Sequence, residues 1–220
     1  MTVGVLVPAA GAGVRMGPGA PKALRDLAGE PLLVHAVRRL RECPSVGRVV
    51  VAAPVAELDH VRTLLSAYDV VVVPGGAHRQ DSVAQALAAL PAEVELVLVH
   101  DAARALVPVA VVEAVVAALR AGAAAVVPVL AVTDTVKRVD SDGVVVATLA
   151  REELRTVQTP QGFTRQVLEL VHAQAPGPLT DDAGLCEVLG IAVQTVAGAA
   201  EALKVTRPFD LLVAEAVLRG

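Results

Sequence analysis

Five short apolar runs, Val3–Val7, Val49–Ala53, Val70–Val73, Leu96–Val99 and Ala124–Val127, leave this chain few folds to choose from. Each holds four or five residues, is dominated by valine, leucine and alanine, and carries no charge, as a strand buried on both faces requires. Helical periodicity fills the intervals, at Leu32–Leu40, Glu57–Ala67, Ser82–Leu90 and Val109–Leu119. Strands alternating with helices predict right-handed β-α-β units, hence an α/β fold with a doubly wound, mostly parallel sheet. Such sheets bind ligands beyond the carboxyl ends of their strands. A length of 220 residues fits one domain, 1–220.

The rhythm changes near residue 132. Thr133 to Leu149 alternates, with Val136, Val139, Val144 and Val146 around Asp140-Ser141-Asp142-Gly143, which predicts a β-hairpin arm over about 133–150. An inserted apolar hairpin either packs on a second subunit or folds back on its own domain. Helices follow at Thr164–Ala173 and Asp181–Leu189, then a strand at Ile191–Val196. A last helix runs from Pro208 to Leu218, with proline in its first turn.

The first strand opens into VPAAGAGVRMGPGAPK, where Gly11, Gly13, Gly17 and Gly19 accompany the loop's only charges, Arg15 and Lys22. Glycines let a backbone approach a ligand and turn its N–H groups inward, which suits phosphate. The spacing is neither the dinucleotide fingerprint nor a Walker loop. A flexible turn whose cations face solvent therefore stays open on the glycines alone. The formal net charge of −4 makes a basic loop the exception in this chain and points to an anionic partner. Of 19 basic residues only Lys22, Lys137 and Lys204 are lysines, which makes them candidates for positions that need a compact ammonium rather than a planar fork.

Hydrophobic content of 55% raises the question of a membrane. The richest stretch, Ala105 to Val132, is broken by Glu113, Arg120 and two prolines and falls short of a span. No basic n-region precedes the first apolar run, so no signal peptide is expected. Cys43 and Cys186 form neither a disulfide framework nor a metal-ligand spacing. No basic tract or aromatic platform speaks for nucleic acid. The expectation is a soluble cytoplasmic protein without nucleic-acid or membrane partners.

Other segments fall at the expected ligand edge. Gly75-Gly76-Ala77-His78-Arg79-Gln80-Asp81-Ser82 follows the third run, where Asp81 or Ser82 is expected to cap a helix and Ser82 to offer a hydroxyl. His100-Asp101-Ala102-Ala103-Arg104 ends the fourth. There Asp101 suits Mg²⁺ or a sugar hydroxyl and Arg104 a phosphate, or the two pair locally. Arg151, Thr159-Pro160-Gln161, Thr180-Asp181-Asp182 and Lys204-Val205-Thr206-Arg207-Pro208 bring further polar groups among Ala, Val and Leu.

Taken in order, PAAGAGVRMG with PK at 21–22, GG-x-x-R-x-x-S at 75–82, HDAAR at 100–104, DT-x-K at 134–137, TPQ at 159–161, TDD at 180–182 and KVTRP at 204–208 resemble the 2-C-methyl-D-erythritol 4-phosphate cytidylyltransferases of non-mevalonate isoprenoid biosynthesis. The resemblance implies a Rossmann-like nucleotidyltransferase fold and attack of the substrate phosphate on the α-phosphorus of CTP, with release of pyrophosphate. It implies that Arg15 and Lys22 stabilise the charged pentacoordinate centre, and that Arg151 and Lys204 position the methylerythritol phosphate. Pro8, Ala9, Ala10, Gly11, Ala12, Gly13, Gly75, Gly76, Ser82 and Ala102 correspond to the nucleotide site. Asp101, Arg104, Thr135 and Thr159 correspond to substrate-side positions. It further implies Mg²⁺ carried mainly by the CTP phosphates, with Asp101 as a candidate ligand, and a homodimer in which the arm brings Arg151 to the neighbouring site. Two departures, Ala77 for an acidic residue and Ala105 for proline, predict altered affinity and a looser turn. Rival functions are a ribitol 5-phosphate cytidylyltransferase, another sugar-phosphate nucleotidyltransferase, and a non-catalytic nucleotide-binding scaffold.

Overall fold

A computed structural model describes residues 2–11, 13–174 and 181–220. The strands are β1 (Val3–Pro8), β2 (Asp26–Leu27), β3 (Glu30–Pro31), β4 (Val46–Ala53), β5 (Val70–Pro74), β6 (Leu96–Val99), β7 (Ala125–Ala131), β8 (Lys137–Val139), β9 (Val145–Thr148), β10 (Arg155–Val157), β11 (Gln161–Thr164) and β12 (Val193–Ala197). The helices are α1 (Leu32–Arg41), α2 (Leu58–Leu64), α3 (Arg79–Ala88), α4 (Val109–Arg120), α5 (Arg165–Gln174), α6 (Asp182–Val188) and α7 (Pro208–Arg219). Among the described residues, β2 with β3 and β8 with β9 form small hairpins, and the other eight strands make one sheet.

That sheet is doubly wound, as the alternation predicts. β1 lies between β4 and β6, parallel to both, and β4 pairs parallel with β5. Side-chain alternation along β1 separates two cores. Val3, Val5 and Val7 face α1 and α4 through Leu33, Val37, Val112 and Val115. Leu6 faces α3, α5 and α6 through Val83, Leu168 and Leu185. A third cluster joins α7 to the loop after β1, with Met16, Leu27, Leu32, Leu106 and Ala214 buried together. No described helix is long and apolar enough to cross a membrane.

The sheet departs from the expectation in β10 and β11, which the apolar-run pattern does not predict. β11 runs antiparallel between β6 and β7, with Phe163 opposite Val97 on one side and Ala125 on the other. β10 continues antiparallel beside β7, at Arg155↔Ala131. Short segments flanking Pro160 carry no period of their own, and their strand geometry comes from the neighbours they pair with. The predicted hairpin forms, but as a separate two-stranded sheet with Val139, Val144, Val145 and Val146 exposed. It does not fold back into the domain's core. The free cysteines Cys43 and Cys186 are buried, and burial pushes both thiols up to about 11.

Phe163 has no exposed surface, so Phe163→Ala should cost about 3–5 kcal/mol. Urea unfolding followed by circular dichroism checks this. A loss below about 1 kcal/mol would mean that β11 is not anchored through its ring.

Candidate functional site

Three loops converge because backbone hydrogen bonds continue past the strand ends. Ala9 N–H donates to the Ala52 carbonyl at 2.8 Å, Gly75 N–H to Ala53 at 2.7 Å, and His100 N–H to Leu6 at 2.8 Å. The segments after β1, β5 and β6 are therefore side by side at the carboxyl edge. Glycine is required at two contacts. A Cβ on Gly75 would collide with the Ala10 side chain, and one on Gly13, whose φ is +69°, would collide with that of Lys22.

Adjoining cavities open on this edge. One, of about 180 Å³, is lined by Pro8, Ala10, Gly11, Gly76, Arg79 and Ser82 among others. The next brings together Gly11, Lys22, Asp101, Ala102 and Lys204. A third continues past Asp101 to Arg104, Gln158, Thr159, Gln161 and Asp181. Lys22 and Lys204, near opposite ends of the chain, thus share one cleft.

Asp101 is the electrostatic centre. Burial alone would raise its carboxyl, but Arg79 and Lys204 outweigh that and hold it well below the usual carboxylate range. Lys204 Nζ lies 2.6 Å from one oxygen and Arg79 Nε 3.4 Å from the other. Arg79 is shared with Asp182, fully buried in α6, at 2.6 Å, and the other Asp182 oxygen meets His172 Nε2 at 2.9 Å. Lys22 completes the cluster without a carboxylate of its own among the described residues. Burial, and then the Lys204 ammonium, push Lys22 down to about 8 against the opposing pull of Asp101. Cations outnumber the carboxylate in the cleft, so its unmet demand is for negative charge.

The floor is neutral. Burial lowers His100 to about 4. A neutral ring donates from Nε2 to the Arg104 carbonyl at 3.2 Å and accepts at Nδ1 from the Thr159 hydroxyl at 3.1 Å. Thr159 Oγ1 in turn accepts the Asp101 N–H at 3.0 Å. The Lys204 loop is held by three ties: Val205 N–H to the Ala103 carbonyl at 2.8 Å, Arg104 to Ala202 at 2.7 Å, and Gln158 to Ala199 at 2.8 Å.

Several expectations are corrected. Arg104 does not pair with Asp101; its terminal nitrogens donate to the Ala202 and Val157 carbonyls, so it straps loops together. Helix α3 starts at Arg79, which makes His78 its N-cap residue and puts Asp81 and Ser82 inside the helix. Asp81 accepts the His78 N–H at 2.9 Å, and Ser82 Oγ accepts that of Gly76 at 3.1 Å. Asp181 is the N-cap of α6, accepting from Gly184 N–H at 3.1 Å. Ala105 is buried beside Met16, and its turn is closed by Arg104 N–H to the Asp101 carbonyl at 2.9 Å.

Thr135 on the arm and Arg151 just past it are exposed, and neither lines the cleft of its own chain. Arg151 donates to the Thr133 carbonyl at 2.6 Å. Arg15 is exposed on the loop after β1, with no side-chain hydrogen bond or ion pair among the described residues. Ala12 and Thr180 lie outside the described residues. Sequence reasoning missed His172, which meets Asp182, and it saw Asp182 only as the last residue of the TDD motif, not as a partner of Arg79 from a distant part of the chain. Arg79 itself was visible inside the GG-x-x-R motif.

Known proteins share this arrangement of chain. The family profile described as 2-C-methyl-D-erythritol 4-phosphate cytidylyltransferase matches residues 3–220. A relative of that description from Frankia casuarinae is 55% identical over 98% of this chain and 81% of its own length. One from Streptomyces coelicolor is 53% identical over 97% and 83%. A solved structure of a 4-diphosphocytidyl-2C-methyl-D-erythritol synthase from Anaerococcus prevotii superposes with a TM-score of 0.87 at 26% identity, covering 100% of this chain and 99% of that one. The 2-C-methyl-D-erythritol 4-phosphate cytidylyltransferase of Thermus thermophilus gives 0.80 at 38% identity, covering 100% of each.

With only three lysines, ¹³C-methylation resolves them by NMR. The Lys22 signal, assigned through Lys22→Arg, should titrate with a midpoint near about 8. Asp101→Asn removes a charge that favours the ammonium and should move the midpoint lower; an upward move would contradict the electrostatics described.

Proposed function

We propose how this chain's own residues carry its reaction: it belongs to the 2-C-methyl-D-erythritol 4-phosphate cytidylyltransferase family and transfers a cytidylyl group from CTP to 2-C-methyl-D-erythritol 4-phosphate. The observation behind the assignment is the cation-rich cleft of Lys22, Lys204 and Arg79 around Asp101, beside the glycine loop.

An oxygen of the methylerythritol phosphate attacks the α-phosphorus of CTP. The new P–O bond forms as the bond to the β-phosphate's bridging oxygen breaks, and its electron pair leaves with pyrophosphate. Catalysis here is positioning and charge stabilisation. Backbone N–H groups of Ala10, Gly11 and Gly13 receive the triphosphate, and Gly75, Gly76 and Ser82 border the nucleoside. Lys22 faces the α-phosphorus with Arg15, where negative charge grows in the transition state. Lys204, oriented by Asp101, holds the attacking phosphate at the level of Ala102, while Thr159 keeps the Asp101 backbone in place.

Mg²⁺ carried by the CTP phosphates would neutralise part of their charge. The described residues contain no cluster of three or more His, Cys, Asp or Glu able to hold a metal, and both Asp101 oxygens are engaged by cations. That donor set does not fit a direct Asp101–metal bond, so no step is assigned to one.

The reading also includes a homodimer. Neither Arg151 nor Thr135 lines the cleft of its own chain, and the arm presents exposed valines. A partner's arm placing these two residues over the methylerythritol moiety accounts for both facts.

Pyrophosphate release with CTP and Mg²⁺ tests the scheme, with methylerythritol phosphate compared against ribitol 5-phosphate. Lys22→Ala and Arg15→Ala should lower turnover by about 10²-fold or more while weakening CTP binding far less. Equal losses in both would place them in ground-state binding. For the arm, mixing Arg151→Ala with Lys22→Ala protein should restore activity, because one of the two sites in a heterodimer is intact. No recovery under demonstrated subunit exchange would refute the shared site.

A further inference from the structure

Arg25 follows the Lys22–Leu24 turn, and its side chain runs back along the glycine loop. One terminal nitrogen donates to the Gly17 carbonyl at 2.6 Å. A Cβ on Gly19 would lie 2.7 Å from the other terminal nitrogen and 3.0 Å from the guanidinium carbon, so the loop backbone rests directly against the charged group. Gly19 has φ +129°, a conformation side-chain-bearing residues rarely adopt. Nε of Arg25 is buried without a hydrogen-bond partner, and no carboxylate pairs with the guanidinium among the described residues. Leaving a buried donor unpaired costs stability that an apolar side chain there would not incur.

The short turn Val14–Met16, which carries Arg15, is pinned on every side but its own. Before it, Gly13 lies against Lys22. Its last residue, Met16, is buried with Leu27, Leu32 and Leu106. After it, Gly17 is tied to Arg25. We propose that Arg25 is a positioning residue: by clamping the Gly17–Gly19 backbone it fixes the direction from which Arg15 reaches the triphosphate. The proposal rests on the role given to Arg15 above. Arg25 acts through the loop, since its observed hydrogen bond is to backbone.

A double-mutant cycle decides it. Arg25→Ala should lower kcat/KM for CTP about tenfold, the scale of a small misplacement of a charged group, and leave KM for methylerythritol phosphate and Tm close to the parent's. In an Arg15→Ala background the same change should have no further effect. Methylguanidine should restore activity to Arg25→Ala and none to the double variant. Arg25→Lys should recover only part, because an ammonium cannot bond to Gly17 and also lie flat against Gly19. If Arg25→Ala is too unstable to assay, Arg25→Gln carries the same comparison. A full tenfold loss persisting without Arg15 would overturn the proposal, as would normal kinetics in Arg25→Ala beside an impaired Arg15→Ala. If Arg15→Ala is itself harmless, the role of Arg15 falls and the clamp's purpose falls with it.

Discussion

A carboxylate removed from water at the end of a buried strand must be met by cations, and around Asp101 that requirement organises the whole carboxyl edge. Arg79 reaches it from the start of α3 and Lys204 from the loop before α7. Because Arg79 also serves Asp182, the demand is transmitted to α6 and through His172 to α5. A buried ion pair of this kind is weak evidence of stability but destabilising to break from one side. The end of β6, α3, α5, α6 and the loop before α7 are therefore tied at this edge by polar contacts, in addition to the apolar packing that α3, α5 and α6 share. The same crowding of cations leaves Lys22 depressed and the cleft short of negative charge, a condition that a triphosphate and a second phosphate satisfy.

The central parallel strands and most of the helices were legible because their signals are local. Val3–Val7 and Leu96–Val99 are uniformly apolar, and α1, α4 and α7 carry helical periodicity that needs no partner to be seen. Site positions were legible to the extent that loops after such strands must fall together, which is how Gly75, Asp101 and the glycine loop could be placed at one edge from sequence. The three lysines are a further case. Two of them, Lys22 and Lys204, do meet in one cleft.

What could not be read depends on pairing. β10 and β11 exist because β6 and β7 leave a gap that an antiparallel strand fills, and nothing within Arg155–Thr164 announces it. The joint service of Arg79 to Asp101 and Asp182 is a fact of three-dimensional adjacency. Asp101 and Arg104, three residues apart, look like natural partners, yet the arginine turns to the Ala202 and Val157 carbonyls and the aspartate to more distant cations. Arg25 passed unnoticed since one arginine after a leucine has no pattern; only Gly17 and Gly19 lying against it give it meaning.

The antiparallel strand β11 also bears on how such an enzyme can change. Rim loops that leave parallel strands can lengthen by drifting outward, because only one end is tied to the sheet. The connection that delivers Gln158 and Thr159 instead passes directly from β10 into β11. Gln158 N–H is fixed to the Pro128 carbonyl, Gln161 is opposite Val99, and Gly162 lacks room for a Cβ against Val115 and Leu119. An inserted residue there would shift a strand register clamped on both sides and reverse which side chains point inward. New acceptor specificity is therefore expected to arise by substitution at fixed length along this stretch, and by insertion only elsewhere on the rim.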